Sequence, residues 1–286
     1  MPYSTLITPE ALHALMRTDA QRLRVFDCSF DLFDTAAGRR SFEAGHLPGA
    51  CHADLDQDLS SAKNGRNGRH PLPTREAFAQ RLREWGVSDD SQIVAYDGSG
   101  GMYAARLWWM LRWAGHEAVA VLDGGLAAWK AAGHEVESSP ARSRAAGHFT
   151  LRASLAPSIN REALLATLGT GQRLVVDARA ADRFRGENET LDPVGGRIPG
   201  AVNRFFKDNL QADGRFKPAQ QLRTELEAVI GQRPPAQCVA SCGSGVTACH
   251  NLLALEVAGL RGAALYPGSW SEWSSWPGAP VATGPA

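Results

Sequence analysis

The sequence repeats itself at an interval of about half its length, and that repeat limits the fold more than any other feature. Leu23-Arg24-Val25-Phe26-Asp27 returns as Leu174-Val175-Val176-Asp177, an apolar run ending in aspartate. Gly45-His46-Leu47-Pro48-Gly49-Ala50 returns as Gly196-Arg197-Ile198-Pro199-Gly200-Ala201. Ile93-Val94-Ala95-Tyr96-Asp97-Gly98-Ser99-Gly100 returns as Cys238-Val239-Ala240-Ser241-Cys242-Gly243-Ser244-Gly245, and Leu122 to Trp129 returns as Tyr266 to Trp273. The four matches keep their order, at offsets from 144 (266 minus 122) to 151 (196 minus 45). Solenoid units span roughly 20–45 residues, so a period this long is a domain.

Each half alternates short β-branched runs with helical patterns. The runs Gln92 to Tyr96 and Ala118 to Leu122 read as strands. Arg75 to Trp85, Tyr103 to Trp113, Gln220 to Ile230 and Ala248 to Ala258 read as amphipathic helices. Strand–helix alternation with glycine turns implies an α/β fold: two tandem domains, each a mostly parallel sheet flanked by helices. The expected domains are 1–137 and 158–286. Residues 138–157, rich in Ser, Ala, Arg, Gly and Pro and without periodicity, form the connection between them. The 286 residues with 44% hydrophobic content suffice for two such cores. Tryptophans 108, 109, 113, 270, 273 and 276 read as packing residues rather than a ligand box.

Sites on parallel sheets lie beyond the carboxyl ends of the strands, where Asp97 and Cys242 fall in the two halves. After Cys242 the loop Gly243-Ser244-Gly245-Val246-Thr247 is built of small residues, and a helix begins near Thr247. Such a loop turns backbone N–H groups toward whatever the cysteine carries, and a helix N-terminus adds partial positive charge. Both favour a thiolate, the nucleophilic form of cysteine. Asp97 stands in the matching slot of the first half and lacks sulfur, so only the second domain is expected to be catalytic.

Composition narrows the partners. Lys plus Arg equals Asp plus Glu at 30 each, so there is no net charge to favour nucleic acid or an anionic membrane. No apolar run approaches the ~18–20 residues of a spanning helix, and the first ten residues do not resemble a signal peptide. The five cysteines (Cys28, Cys51, Cys238, Cys242, Cys249) are odd in number and form no C-x-x-C pair, which indicates a reducing, cytoplasmic setting. Cys238 and Cys249 read as core residues. Neither Cys nor His occurs at zinc-ligand spacing, and no metal or organic cofactor is expected.

Taken together, these motifs resemble the tandem-domain rhodanese-like sulfurtransferases over nearly the whole chain. Gly-His-Leu-Pro-Gly-Ala and Asp-Gly-Gly-Leu-x-x-Trp are similar to the family's structural signatures, and Cys242 falls at its catalytic position. The loop Cys242 to Thr247 is similar to that of the 3-mercaptopyruvate branch. The thiosulfate branch has Arg and Lys where this chain has Gly243 and Ser244, and a dianion such as thiosulfate benefits from those cations. The resemblance implies that Arg183 grips a donor carboxylate and that Asp56, His70 and Tyr103 face the cysteine from the first domain. It also implies that Ser244 donates a hydrogen bond within the loop, while Thr247 caps the following helix. That branch has a second donor-binding arginine ahead of the Gly-x-Ile-Pro-Gly segment. Residues 186–195 here contain none, which leaves Arg185 or Arg197 to compensate.

The implied activity is sulfur transfer in two half-reactions: a donor leaves a persulfide on Cys242, and thioredoxin, a small thiol or cyanide removes it. Mercaptopyruvate is the expected donor, with thiosulfate the alternative, and Ser244 or His70 protonates the departing enolate. A cysteine-dependent phosphatase needs an arginine closing a seven-residue loop, yet the seventh position is Ala248. A non-catalytic sulfur-carrier or interaction module would not need the intact Cys242 and its glycine loop.

Overall fold

The computed structural model describes residues 2–138 and 144–285. The described residues form two compact units. The first comprises Met1–Ser61, Pro73–Leu155 and Gln211–Phe216, and the second Ala62–Leu72, Ala156–Leu210 and Lys217–Ala286. Residues 62–72, and with them His70, were expected in the first half but pack within the second unit. Of the expected connection 138–157, residues 139–143 lie outside the described residues.

The first unit is a parallel sheet of β1 (Leu6–Ile7), β2 (Leu23–Asp27), β3 (Cys51–His52), β4 (Gln92–Tyr96) and β5 (Val119–Leu122), in the order β1-β5-β4-β2-β3. Its helices are α1 (Pro9–Thr18), α2 (Ala37–Ala44), α3 (Arg75–Glu84), α4 (Ala104–Trp113) and α5 (Gly125–Ala131). The central strand β4 is buried along its whole length, which is why its sequence reads as a continuous apolar run rather than an alternation. One core cluster joins Val25, Val94, Tyr96 and Leu122 to Leu12, Phe42, Leu47 and Trp129.

The second unit repeats the plan. Its strands β6 (Leu174–Asp177), β7 (Val202–Asn203), β8 (Cys238–Ser241) and β9 (Ala264–Leu265) lie in the order β7-β6-β8-β9, again all parallel. That is β3-β2-β4-β5 over again, and a parallel bridge from Ser158 to Leu265 stands where β1 pairs with β5. Helices α6 (Arg161–Leu165), α7 (Ala181–Arg185), α8 (Ala219–Ile230), α9 (Thr247–Val257) and α10 (Ser269–Trp273) cover the sheet. The core here joins Val175 and Val239 to Phe184, Ile198, Tyr266, Trp270 and Trp273.

Two of the helices expected to be amphipathic are not. The first eight residues of α4 are all buried, as are Ala248 to Leu255 of α9. A helix buried on every side shows no polar stripe, and its polar side chains must find partners inside. On α9 they do: Asn251 donates to the Arg204 carbonyl at 2.9 Å and accepts from Asn209 Nδ2 at 2.7 Å. No helix among the described residues is long and apolar enough to cross a membrane.

Candidate active site

Strand β8, with β6 on one side and β9 on the other, ends at Ser241 and delivers Cys242 to the carboxyl edge of the sheet. Three hydrogen bonds from the 269–271 segment then fix the start of the loop. Cys242 N–H donates to Ser269 Oγ at 3.1 Å, Trp270 N–H to the Cys242 carbonyl at 2.9 Å, and Ser271 N–H to the Gly243 carbonyl at 2.8 Å. Gly245 is held at φ +75°, and its N–H donates to Cys242 Sγ at 3.1 Å. A backbone donor aimed at the sulfur stabilises negative charge on it. The Ser269 hydroxyl lies 4.0 Å from the same sulfur.

Ser269 is the one described residue other than glycine with a left-handed backbone, at φ +52°. Its counterpart in the repeat is Gly125, at φ +57°, which has no room for a side chain because a Cβ would meet the Asp97 carbonyl oxygen at 2.2 Å. Holding a serine in this region costs on the order of 1 kcal/mol or more. The return is a hydroxyl that anchors the cysteine's own amide.

Two basic side chains close over Gly243. Ser271 Oγ accepts the Arg69 N–H at 2.9 Å, which docks the 67–70 segment onto the 268–271 turn. A methyl group on Gly243 would stand 3.1 Å from Arg69 Nη2, and 3.7 and 3.8 Å from Arg183 Nη2 and Nη1. Arg183 forks onto Glu189, with Nη2 at 2.7 Å from Oε1 and Nε at 3.2 Å from Oε2. Burial pushes the Glu189 carboxyl up, but the Arg183 hydrogen bonds, the Leu191 N–H and the charges of Arg183 and Arg179 outweigh it and hold it below the usual carboxylate range. Arg179 is buried against Asp177, bonds Gly196 O and stacks 4.9 Å from the Trp270 ring centre. His70, next in sequence to Arg69, places Nδ1 2.8 Å from Ser244 Oγ.

The sequence-level assignments therefore divide. Cys242, Gly243, Ser244, Gly245, Arg183 and His70 come together within the second unit, although Ser244 pairs with His70 rather than with another loop residue. Thr247 is no cap: Val246 stands at the N-cap of α9 without a side-chain cap, and Thr247 is the first helical residue. Asp56 and Tyr103 belong to the first unit. Burial first, then the charges of Asp97 and Asp31, push the Tyr103 phenol up to about 12. Of the two arginines expected to replace the absent one, Arg185 pairs with Glu187 at the surface and Arg197 is engaged by the carbonyls of Gly284 and Pro285, while the atoms nearest a methyl on Gly243 belong to Arg69 and Arg183. Arg69 lies beside Arg183 over Gly243. The sequence alone does not single it out, because it sits in a stretch rich in Gly, Asn and Arg without periodicity; its adjacency to His70 was the available signal.

The first unit's slot explains itself. Asp97 Oδ1 accepts the N–H groups of Ser99 and Gly101 at 2.7 and 2.9 Å, and Oδ2 those of Tyr103 and Ala104, both at 2.9 Å. Burial pushes this carboxyl up against the pull of those donors. A loop of inward N–H groups is thus filled by the chain's own carboxylate, whereas in the second unit it frames a cysteine.

Comparison with known proteins agrees with this geometry. The family model described as Rhodanese-like domain matches residues 8–132 and 160–275. A curated relative from Pseudomonas aeruginosa, described as a probable 3-mercaptopyruvate sulfurtransferase, is 47% identical over 99% of this chain and 100% of its own. The thiosulfate sulfurtransferase of Bos taurus is 37% identical over 88% of this chain and 84% of its own. Among solved structures, the 3-mercaptopyruvate sulfurtransferase from Leishmania major is 30% identical with a TM-score of 0.82, covering 95% of this chain and 74% of that one. SseA from Escherichia coli, described among 3-mercaptopyruvate sulfotransferases, is 28% identical with a TM-score of 0.80, covering 94% of this chain and 99% of that one.

Proposed function

The chain belongs to the rhodanese-like family, and on that premise we propose that this sulfurtransferase takes its sulfur from 3-mercaptopyruvate and holds it as a persulfide on Cys242. The observation that carries the reading is the cysteine at the end of β8 with an N–H on its sulfur and two guanidinium groups over the next residue. The guanidiniums of Arg69 and Arg183 hold the donor carboxylate, which brings the donor's C–S bond to Cys242. The Cys242 thiolate attacks the donor thiol sulfur, an S–S bond forms, and the C–S bond breaks with its electron pair leaving as the enolate of pyruvate. The proton from the donor thiol ends on the enolate carbon through Ser244 and His70, whose 2.8 Å contact forms a relay within the second unit. The outer sulfur is left to the loop amides, of which Gly245 N–H already points at Sγ. A thiol acceptor such as thioredoxin or a small thiol, or cyanide, then removes it.

Asp56 and Tyr103 keep a part in donor binding only through the family resemblance; turnover by Asp56→Asn and Tyr103→Phe tests it. Five free cysteines support a reducing, cytoplasmic setting for the protein. A second reading, thiosulfate as donor, draws on the pair of guanidiniums and on the thiosulfate-named relatives. The ratio of kcat/KM for the two donors decides between them, since it reports differential transition-state binding. A ratio favouring mercaptopyruvate supports the proposal, and one favouring thiosulfate overturns the donor assignment.

A further inference from the structure

The charges beside Cys242 form a ladder of alternating sign. Asp177 pairs with Arg179 at 2.7 Å, Arg179 with Glu189 at 3.3 Å, and Glu189 with Arg183 at 2.7 Å. Asp192 completes it, 3.5 Å from Arg183 and 2.8 Å from Arg69. Three carboxylates face three guanidiniums, so the ladder is neutral before any donor arrives. The acids are almost fully buried, with side chains 4–5% exposed, and only Arg69 and Arg183, the pair over Gly243, keep 20% exposure. Asp192 is the rung between that pair: its Oδ2 lies 3.4 Å from Arg69 Nη2 and 3.5 Å from Arg183 Nη2. Arg69 also carries a buried Nε that has no hydrogen-bond partner among the described residues, a donor left over for a ligand.

We propose that Asp192 determines which donors the site accepts, by cancelling charge between Arg69 and Arg183 so that a monocarboxylate is taken and a dianion is disfavoured. The proposal rests on the sulfur-transfer reading above and adds a reason for donor choice that does not lie in the Cys242 loop. Arg69 and Arg183 present N–H donors that suit one carboxylate. With Glu189 and Asp192 already paired to them they bring directed N–H donors but no net charge, which suits a singly charged keto acid with a neutral thiol better than a dianion. A dianion carries a second charge that meets Asp192 and the Cys242 thiolate. One charge at roughly 6 Å in a partly screened site changes relative binding by about tenfold or more.

The test is Asp192→Asn, which keeps the shape and removes the charge. The thiosulfate-to-mercaptopyruvate ratio of kcat/KM should rise about tenfold, through a lower KM for thiosulfate, and Asp192→Glu should return it toward the parent value. A ratio that stays flat or falls in Asp192→Asn overturns the proposal. Should that variant fail to fold, calorimetric titration of the unmodified protein decides the matter instead: pyruvate must bind at least about tenfold more tightly than sulfate, and equal or tighter binding of sulfate overturns the proposal. Failure of the underlying reading looks different, because the unmodified protein would then form no persulfide from mercaptopyruvate at all.

Discussion

Two glycines of the same loop should respond to the same substitution differently, one by losing stability and the other by keeping it. At Gly245 an alanine Cβ would lie 2.2 Å from the Pro267 carbonyl oxygen and 3.0 and 3.1 Å from that residue's C and Cα, all backbone atoms that cannot turn aside. The φ of +75° adds its own penalty for any side chain. Relieving the overlap requires a shift on the order of 1 Å, which withdraws the Gly245 N–H from Cys242 Sγ. Gly245→Ala should lose about 2–4 kcal/mol of stability, from roughly 1 kcal/mol of backbone strain plus 1–3 kcal/mol of overpacking. A displacement of that size at a reacting group also predicts about a hundredfold loss in kcat/KM. At Gly243 the nearest atom is Arg69 Nη2 at 3.1 Å, the far end of a flexible side chain. Gly243→Ala should therefore stay within about 0.5 kcal/mol in stability while raising the donor KM several-fold as Arg69 is pushed back. Urea unfolding and steady-state turnover of the two variants measure both quantities. A fully active, stable Gly245→Ala would refute the account of the loop, as would a Gly243→Ala that unfolds as easily as its neighbour.

Other outcomes follow from the same contacts. Asp97→Asn should cost about 2–4 kcal/mol, because the amide NH2 would face two backbone N–H groups that now meet an acceptor; unfolding by urea detects it, and an unchanged midpoint contradicts the plugged-loop description. Burial pushes the Glu225 carboxyl up, yet hydrogen bonds from Arg204, Lys217 and Gln221 and the charge of Arg204 together bring it down to about 2. Its folded value lies below its ordinary one, so its stabilisation is complete above about pH 4.5 and is lost as pH falls toward about 2. Glu225→Gln should thus be less stable than the parent at pH 7, by about 1 kcal/mol given solvent screening, with the gap closing as pH falls from about 4.5 to about 2. Ser269→Ala should free the Cys242 N–H and lower turnover about tenfold or more while leaving Cys242 able to react with alkylating reagents.

The repeat made much of this legible in advance. Apolar runs ending in Asp27 and Asp177 became β2 and β6, and the aligned slots of Asp97 and Cys242 fell at the ends of β4 and β8. Local pattern carried those assignments because strand and loop are specified by neighbours in sequence. Arg69 and His70 pack with the second unit although the chain order puts them in the first half. Their position depends on the docking of 67–70 onto Ser271, about 200 residues away, and no periodicity records it. Glu189 and Asp192 sit in a stretch without regular structure, where a buried carboxylate looks the same as a solvated one. Burial on every side erased the polar stripe expected of α4 and α9. Ser269 gave no warning either: backbone strain at a serine becomes visible only beside the glycine that occupies the same slot in the first unit.

The central claim is that Cys242 carries the transferred sulfur, and intact-mass spectrometry tests it most directly. After exposure to 3-mercaptopyruvate and removal of excess donor, the protein should gain about 32 Da, one sulfur atom, which peptide mapping places on Cys242. Cyanide should strip the added mass, and Cys242→Ser should never acquire it. An unmodified protein under turnover conditions, or the same mass gain in the Cys242→Ser variant, would contradict the account.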